Sequence, residues 1–180
     1  YNPYMSEGKK TCSFEICEQL MWKVPDVIMV SVGDGCIIGG IHKGLKDLYA
    51  MGWIEKIPRL IGVQSEGSSY MYQAWKNKED IITKPPAPAD TVADSISAGL
   101  PRDRIKALKA VTETQGEYLI VSDNEIIAAI PELAGKTGIF AEPAGAATWA
   151  GFKKAVEHNI IKSSETVVVI NTGNGLKDIN

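Results

Sequence analysis

The stretch SVGDGCIIGG, at residues 31–40, places Gly33 and Gly35 between an apolar run and a segment with helical spacing. The preceding run, DVIMV at 26–30, is typical of a buried parallel strand. Main-chain N–H groups at 33–37 could bind a phosphate, because glycine permits close approach and a helix N-terminus favours negative charge. From this loop alone, a strand-to-helix turn without any ligand is an equally open alternative.

Two nucleotide-binding motifs match this loop poorly. A dinucleotide fingerprint needs a third glycine where this chain has Ile38, although Glu66 could supply the acid that binds a ribose. A P-loop is excluded, because no Gly-Lys-Ser/Thr sequence follows at the required distance. A nucleotide-binding Rossmann domain is therefore the weakest of the alternatives.

Three glycine-containing turns follow predicted strands. They read GDGC at 33–36, SEGSS at 65–69 and TGNG at 172–175. In an open parallel sheet, ligands bind beyond the carboxyl ends of the strands. We therefore expect the three turns to meet at one edge of the sheet and to form a site there.

Other reactive groups are weaker candidates. His42 and His158 lie far apart without metal-ligand spacing, and His42 is predicted on a helix flank. Cys36 could be nucleophilic at a helix start, but without a nearby base it is predicted to be a small buried side chain. Glu142 opens another predicted helix, where an acid suits the dipole, and any role in the site is secondary.

The composition is that of one soluble globular domain. The 180 residues are 44% hydrophobic and 23% charged, with a formal net charge of −3. This charge does not indicate binding to nucleic acid or to an anionic membrane. No apolar stretch approaches the roughly 18 residues of a membrane span. Cys12, Cys17 and Cys36 form no CxxC motif, so we expect a reducing, cytoplasmic setting.

Strands alternate with helices along the chain. This order predicts an α/β fold with a mostly parallel sheet and helices on both faces. The predicted strands lie at 26–32, 59–64, 117–121 and 165–173, with a further short strand opening the segment 137–159.

Two helices are predicted in the first third of the chain. Thr11 or Ser13 is expected to cap a first helix that runs to about residue 23. The second helix follows the glycine turn, and its spacing indicates one face packed on the sheet. That face is formed by Ile38, Ile41, Leu45 and Leu48.

The middle of the chain combines an irregular segment with clear helix signals. The polar, proline-rich residues 80–97 are predicted to cross the surface or to enter a site. Pro101 is predicted at the first position of the next helix. Ser122 and Glu125 have the spacing of a capping box.

Five loop motifs occur in order along the chain. They are NPYMSEGKKT (2–11), VGDG (32–35), GVQSEG (62–67), EPAGAA (142–147) and NTGNGLKD (171–178). Together they resemble the C-terminal half of threonine synthases, pyridoxal-phosphate enzymes of the tryptophan-synthase-β-like fold, also called fold type II. Residues 91–111 also resemble a variant segment of some threonine synthase relatives.

The resemblance implies pyridoxal 5'-phosphate as cofactor and assigns residues to it. A hydroxyl, here Thr172, would face the pyridine nitrogen, and a neutral partner of this kind does not favour a protonated ring. The cofactor phosphate would be bound by Gly33, Asp34, Gly35, Cys36 and Ile37.

The phosphate loop departs from the family at two positions. Many relatives have Gly and Asn where this chain has Cys36 and Ile37, so an Asn contact is lost while main-chain N–H groups stay available. Asp34 places an acid beside a dianion, and we expect its carboxylate to turn away.

The Schiff-base lysine of the family lies in a Ser-Phe-Lys-Asp-like segment that does not occur here, and Lys10 and Lys177 match other motifs. The resemblance therefore implies a single α/β domain, residues 1–180, that is the C-terminal portion of a larger enzyme. The absence of an initiator Met is consistent with a processed or truncated chain. The domain would need the N-terminal half of the same enzyme and be inactive alone. Without the N-terminal half, the apolar face that packs against it would be exposed, so dimers or larger homo-oligomers are expected.

The implied reaction converts O-phosphohomoserine and water to threonine and phosphate. Two alternatives stay open. One is another enzyme of the same fold, such as a cysteate synthase or a threonine dehydratase. The other is a non-catalytic homologue that binds a phosphate ligand or a partner chain, which the residues Cys36 and Ile37 would favour.

Overall fold

A computed structural model describes residues 2–178 and contains one four-stranded sheet. Its strands lie in the order β3-β2-β1-β4, and each neighbouring pair is parallel. The predicted parallel α/β sheet is therefore confirmed. The strands are β1 (Val27–Ser31), β2 (Arg59–Ser65), β3 (Glu117–Val121) and β4 (Val167–Val169).

Six helices cover both faces of the sheet. Within residues 2–178 no helix is long and apolar enough to cross a bilayer. Two short 3₁₀ turns, Asp94–Ile96 and Gly175–Asp178, complete the regular structure. The helices are α1 (Pro3–Gln19), α2 (Cys36–Ala50), α3 (Tyr70–Asn77), α4 (Arg104–Glu113), α5 (Asp123–Thr137) and α6 (Pro143–Glu157).

The core has two layers because side chains alternate across the strands. In β1, Ile28 and Val30 pack on the side of α1–α4, whereas Val27 and Met29 pack on the side of α5 and α6. The predicted apolar stripe of α2 is confirmed. All four of its members are buried: Ile38, Ile41, Leu45 and Leu48.

The order of the strands creates a crevice. From β1 the chain proceeds outward to β2 and β3, and it then returns through α5 and α6 to place β4 on the other side of β1. Ligands in open α/β sheets bind at such a reversal, beyond the carboxyl ends of the two central strands. Here those strands are β1 and β4.

The predicted start of the first helix is wrong. Helix α1 begins at Pro3, not at Thr11 or Ser13, and it ends at Gln19. The Asn2 side chain accepts a hydrogen bond from the Tyr4 N–H group, and proline fits the first helical position because it has no N–H group to satisfy.

Helix α1 lacks an apolar stripe because it packs on α2 through small residues. A Cβ atom added to Gly44 would overlap the Ser13 hydroxyl, and one added to Gly40 would lie 2.6 Å from the Lys9 Cβ atom. The two helices therefore approach too closely for larger side chains. This explains why hydrophobic spacing failed to locate the start of α1.

Three other local predictions differ from the structure. Pro101 precedes α4, whose N-cap is Asp103, and the Arg102 and Asp103 N–H groups bond to Asp34, which holds this segment against the turn after β1. The predicted short strand before Glu142 is a single bridge between Ala141 and Asn174. The last predicted strand is shorter than expected and ends at Val169.

The capping box of α5 is confirmed. The Ser122 hydroxyl accepts from the Glu125 N–H group, and the Glu125 carboxylate accepts from the Ser122 N–H group at 2.7 Å. Both interactions satisfy donors that would otherwise lack partners at the helix start.

Two glycines in helices allow a test of how tightly α6 packs on the sheet. A Cβ atom on Gly151 in α6 would lie 2.5 Å from Val63 Cγ2 in β2. Gly151→Ala should therefore lower the free energy of unfolding by about 1–3 kcal/mol. Denaturant unfolding measures this change. The matched Gly135→Ala in α5, where a Cβ meets nothing within 4 Å, should be neutral or stabilise by up to about 1 kcal/mol; equal losses would contradict the packing.

Candidate functional site

A cavity of about 260 Å³ lies at the carboxyl ends of β1 and β4. Its walls come from the turn after β1, the segment 95–98, the start of α6, and two residues after β4. All six residues predicted to bind the cofactor line it: Gly33, Asp34, Gly35, Cys36, Ile37 and Thr172.

The turn after β1 presents unpaired main-chain donors. None of the hydrogen bonds formed within residues 2–178 uses the N–H groups of 33–38 as donors. Gly35 has φ of +86°, which glycine adopts without strain. A Cβ atom on Gly33 would lie 2.8 Å from Ile96 Cα, so the turn fits only without a side chain there. The arrangement is suited to an anion at the N-terminus of α2.

Asp34 fixes the neighbouring chain. Its carboxylate accepts from the Arg102 N–H group at 3.1 Å, and its carbonyl accepts from the Asp103 N–H group at 2.9 Å. The acid is thus occupied by a main-chain donor, as is expected beside an anion site.

Cys36 and Ile37 form the first turn of α2. Both are half-buried, so Cys36 is less buried than the small buried side chain that was predicted, and it lines the cavity. Cys36 is a free thiol.

Ser31 lines the cavity at the end of β1 and was missed by sequence reasoning. It is 3% exposed, and its Oγ atom has no hydrogen-bond partner within residues 2–178. A buried hydroxyl without a partner is costly, so this atom is available for a ligand. The sequence offered one signal for Ser31, namely that a polar residue ends an otherwise apolar strand.

Glu142 and Lys177 also line the cavity. The Lys177 Nζ atom lies 2.8 Å from Glu142 Oε2, and the Ser95 hydroxyl lies 3.3 Å from the same oxygen. Sequence reasoning gave Glu142 a secondary role and assigned Lys177 none. Their contact depends on three separate segments of the chain.

The three glycine turns reach the same edge but do not play the same part. The turns after β1 and β4 contribute residues that line the cavity. The turn at 65–69 does not line it, but it binds the segment 95–98 that does. The Ser68 hydroxyl donates to the Ile96 carbonyl at 3.2 Å and accepts from the Ala98 N–H group at 3.0 Å. Residues 80–97 were predicted either to cross the surface or to enter a site, and the end of this segment enters the site.

The remaining candidates lie elsewhere. His42 is buried on α2, where burial lowers its pKa, and its Nε2 atom is 3.5 Å from Glu113 Oε2. In the described part of the chain no group of acidic, His and Cys side chains could hold a metal. Glu66, the candidate ribose acid, does not line the cavity.

The family model described as "Pyridoxal-phosphate dependent enzyme" matches residues 1–173. The chain belongs to this family. Its cofactor is pyridoxal phosphate.

Individual relatives are similar over nearly the whole chain. It is 43% identical over 178 residues to threonine synthase of Methanocaldococcus jannaschii, covering 98% of this chain and 44% of that protein. It is 44% identical over 177 residues to threonine synthase of Methanosarcina acetivorans, with the same two coverages. The chain thus spans less than half the length of these relatives.

Solved structures show the same fold. The processed form of threonine deaminase isoform 2 from Solanum lycopersicum superposes with a TM-score of 0.75 at 24% identity, covering 96% of this chain and 46% of that one. A fungal L-serine ammonia-lyase from Rhizomucor miehei gives 0.76 at 22% identity, covering 96% and 53%. These likenesses establish a fold type II architecture.

The cavity residues fit pyridoxal phosphate. The free N–H groups of 33–38 suit a phosphate dianion, and the glycines keep side chains out of its way. Thr172 and Ser31 line the same cavity and could offer hydroxyl groups to the polar atoms of the ring; the Ser31 hydroxyl has no partner within residues 2–178.

Proposed function

We propose that this chain is the C-terminal part of a threonine synthase and supplies its cofactor-phosphate site. The observation that carries the proposal is the row of N–H groups at 33–38, which have no partner within residues 2–178 and lie at the crevice between β1 and β4. Similarity to threonine synthases over 98% of the chain supports the choice of enzyme.

The main chain, rather than side chains, would hold the phosphate. Amide donors at the start of α2 would bind the dianion, and the helix dipole would add to the attraction. The replacement of Gly and Asn by Cys36 and Ile37 removes one side-chain contact but leaves their N–H groups in place. These two residues therefore do not argue for a non-catalytic homologue.

Thr172 would bind the pyridine nitrogen. Its hydroxyl would donate to that nitrogen without providing the negative charge that favours ring protonation. When bound, pyridoxal phosphate supplies the electron sink for γ-elimination of phosphate from O-phosphohomoserine and for the water addition that follows.

The N-terminal half of the enzyme provides the lysine that binds the cofactor covalently. Residues 1–180 contain no Ser-Phe-Lys-Asp-like segment. We therefore expect these residues alone to form no threonine from O-phosphohomoserine, and measurable turnover by them would contradict this division of the active site.

The test is product analysis with the full-length enzyme and pyridoxal phosphate. We expect phosphate and threonine to appear in equal amounts from O-phosphohomoserine. The same preparation incubated with threonine serves as control and should release no ammonia. Ammonia from threonine, without phosphate release from the first substrate, would instead identify a threonine dehydratase.

A further inference from the structure

Glu142 places a carboxylate in the cavity that no capping role explains. The residue is 2% exposed and is the N-cap of α6, yet its side chain makes no capping hydrogen bond. A buried carboxylate is costly unless an opposite charge and hydrogen bonds compensate it. Its contacts within the cavity therefore define its role.

Lys177 provides the compensating charge. Besides the 2.8 Å contact with Glu142, its Nζ atom donates to the Ser95 hydroxyl at 3.2 Å. The side chain is 56% exposed, and the hydrogen bond to Glu142 raises the pKa of its ammonium group. Lys177 is thus a cation held over the carboxylate from the solvent side.

The carboxylate lies against Gly173, the residue after Thr172. The Glu142 N–H group donates to the Gly173 carbonyl at 3.0 Å, and a Cβ atom on Gly173 would overlap Glu142 Oε1. Gly173 directly follows Thr172, and Thr172 and Glu142 line the same cavity. Negative charge at this position favours the protonated form of a nearby pyridine nitrogen.

The other charged groups around the pair are acidic. Asp94, beside Ser95, and Asp178 both face Lys177 and further raise its pKa. Asp34, on the turn after β1, is bound to the Arg102 N–H group. Of the described residues that line the cavity, Lys177 supplies the only cationic side chain. Its removal would leave the negative charge uncompensated.

We propose that the Glu142–Lys177 ion pair controls whether the pyridine nitrogen beside Thr172 carries a proton, with Lys177 holding that nitrogen unprotonated. The proposal rests on the proposed function, because it takes Thr172 as the partner of that nitrogen. Lys177 is a positioning residue here: it acts through the charge of Glu142 and not by contact with the reacting atoms.

Nitrogen NMR of the full-length enzyme loaded with pyridoxal phosphate labelled at the pyridine nitrogen tests this directly. In Lys177→Met the midpoint of ring protonation should rise by about one pH unit or more. Glu142→Gln should lower it, and the double variant should return toward the wild-type value. Lys177→Arg, which keeps the cation, should resemble wild type.

The exposed Lys23→Met is the control for loss of a positive charge far from the cavity. An unshifted midpoint in Lys177→Met with cofactor bound, or an equal shift in Lys23→Met, would overturn the proposal. Failure of the wild-type enzyme to bind the cofactor would overturn the proposed function as well, so the two failures are distinguishable.

Discussion

Gly33→Ala in the full-length enzyme should weaken pyridoxal-phosphate binding about tenfold to a hundredfold. The added Cβ would lie 2.8 Å from Ile96 Cα and 3.2 Å from the Ser95 carbonyl oxygen, so main chain on one side must move. Displacement of the turn removes about one charge-assisted hydrogen bond to the phosphate, worth about 1.5–3 kcal/mol. Cofactor titration followed by absorbance measures the change.

Gly8→Ala is the matched control, because a Cβ atom there meets nothing within 4 Å. It should leave the cofactor affinity at the wild-type value. Thermal unfolding of both variants separates loss of binding from loss of folding. Wild-type affinity in a folded Gly33→Ala enzyme would remove this turn from the cofactor site.

Thr172→Val should lower turnover by about tenfold or more while cofactor loading stays near one per chain. Valine preserves the shape of threonine but removes the hydroxyl that we assign to the pyridine nitrogen. Leaving a buried ring nitrogen without its donor costs about 1–3 kcal/mol, and tenfold in rate corresponds to about 1.4 kcal/mol. Turnover and bound cofactor are measured on the same preparation.

Thr172→Ser keeps a hydroxyl at this position and should recover most of the activity. Equal activity of the valine and serine variants would show that the hydroxyl is not used. A parallel loss of cofactor and turnover in Thr172→Val would point to a binding role instead.

Much of the fold follows from local patterns in the sequence. The apolar β1 and β2 runs and the stripe of α2 have periodicities that tertiary contacts reinforce, so their predicted positions hold. The capping box of Ser122 and Glu125 is equally local. Parallel pairing also brings the turns after β1 and β4 together, as expected from strand order alone.

The features that the sequence did not predict depend on contacts between distant segments. The start of α1 is set by Asn2 and by close packing on the glycines of α2, which leaves no hydrophobic period to detect. Glu142 and Lys177 are distant in sequence, and their contact also involves Ser95 from a third segment of the chain. No spacing rule anticipates such a cluster.

The most direct test is a crystal structure of the full-length enzyme with pyridoxal phosphate. Our account predicts the phosphate within hydrogen-bond distance of the N–H groups of 33–37, with the pyridine nitrogen facing the Thr172 hydroxyl. A phosphate bound away from this turn, or a pyridine nitrogen facing another side chain, would contradict it.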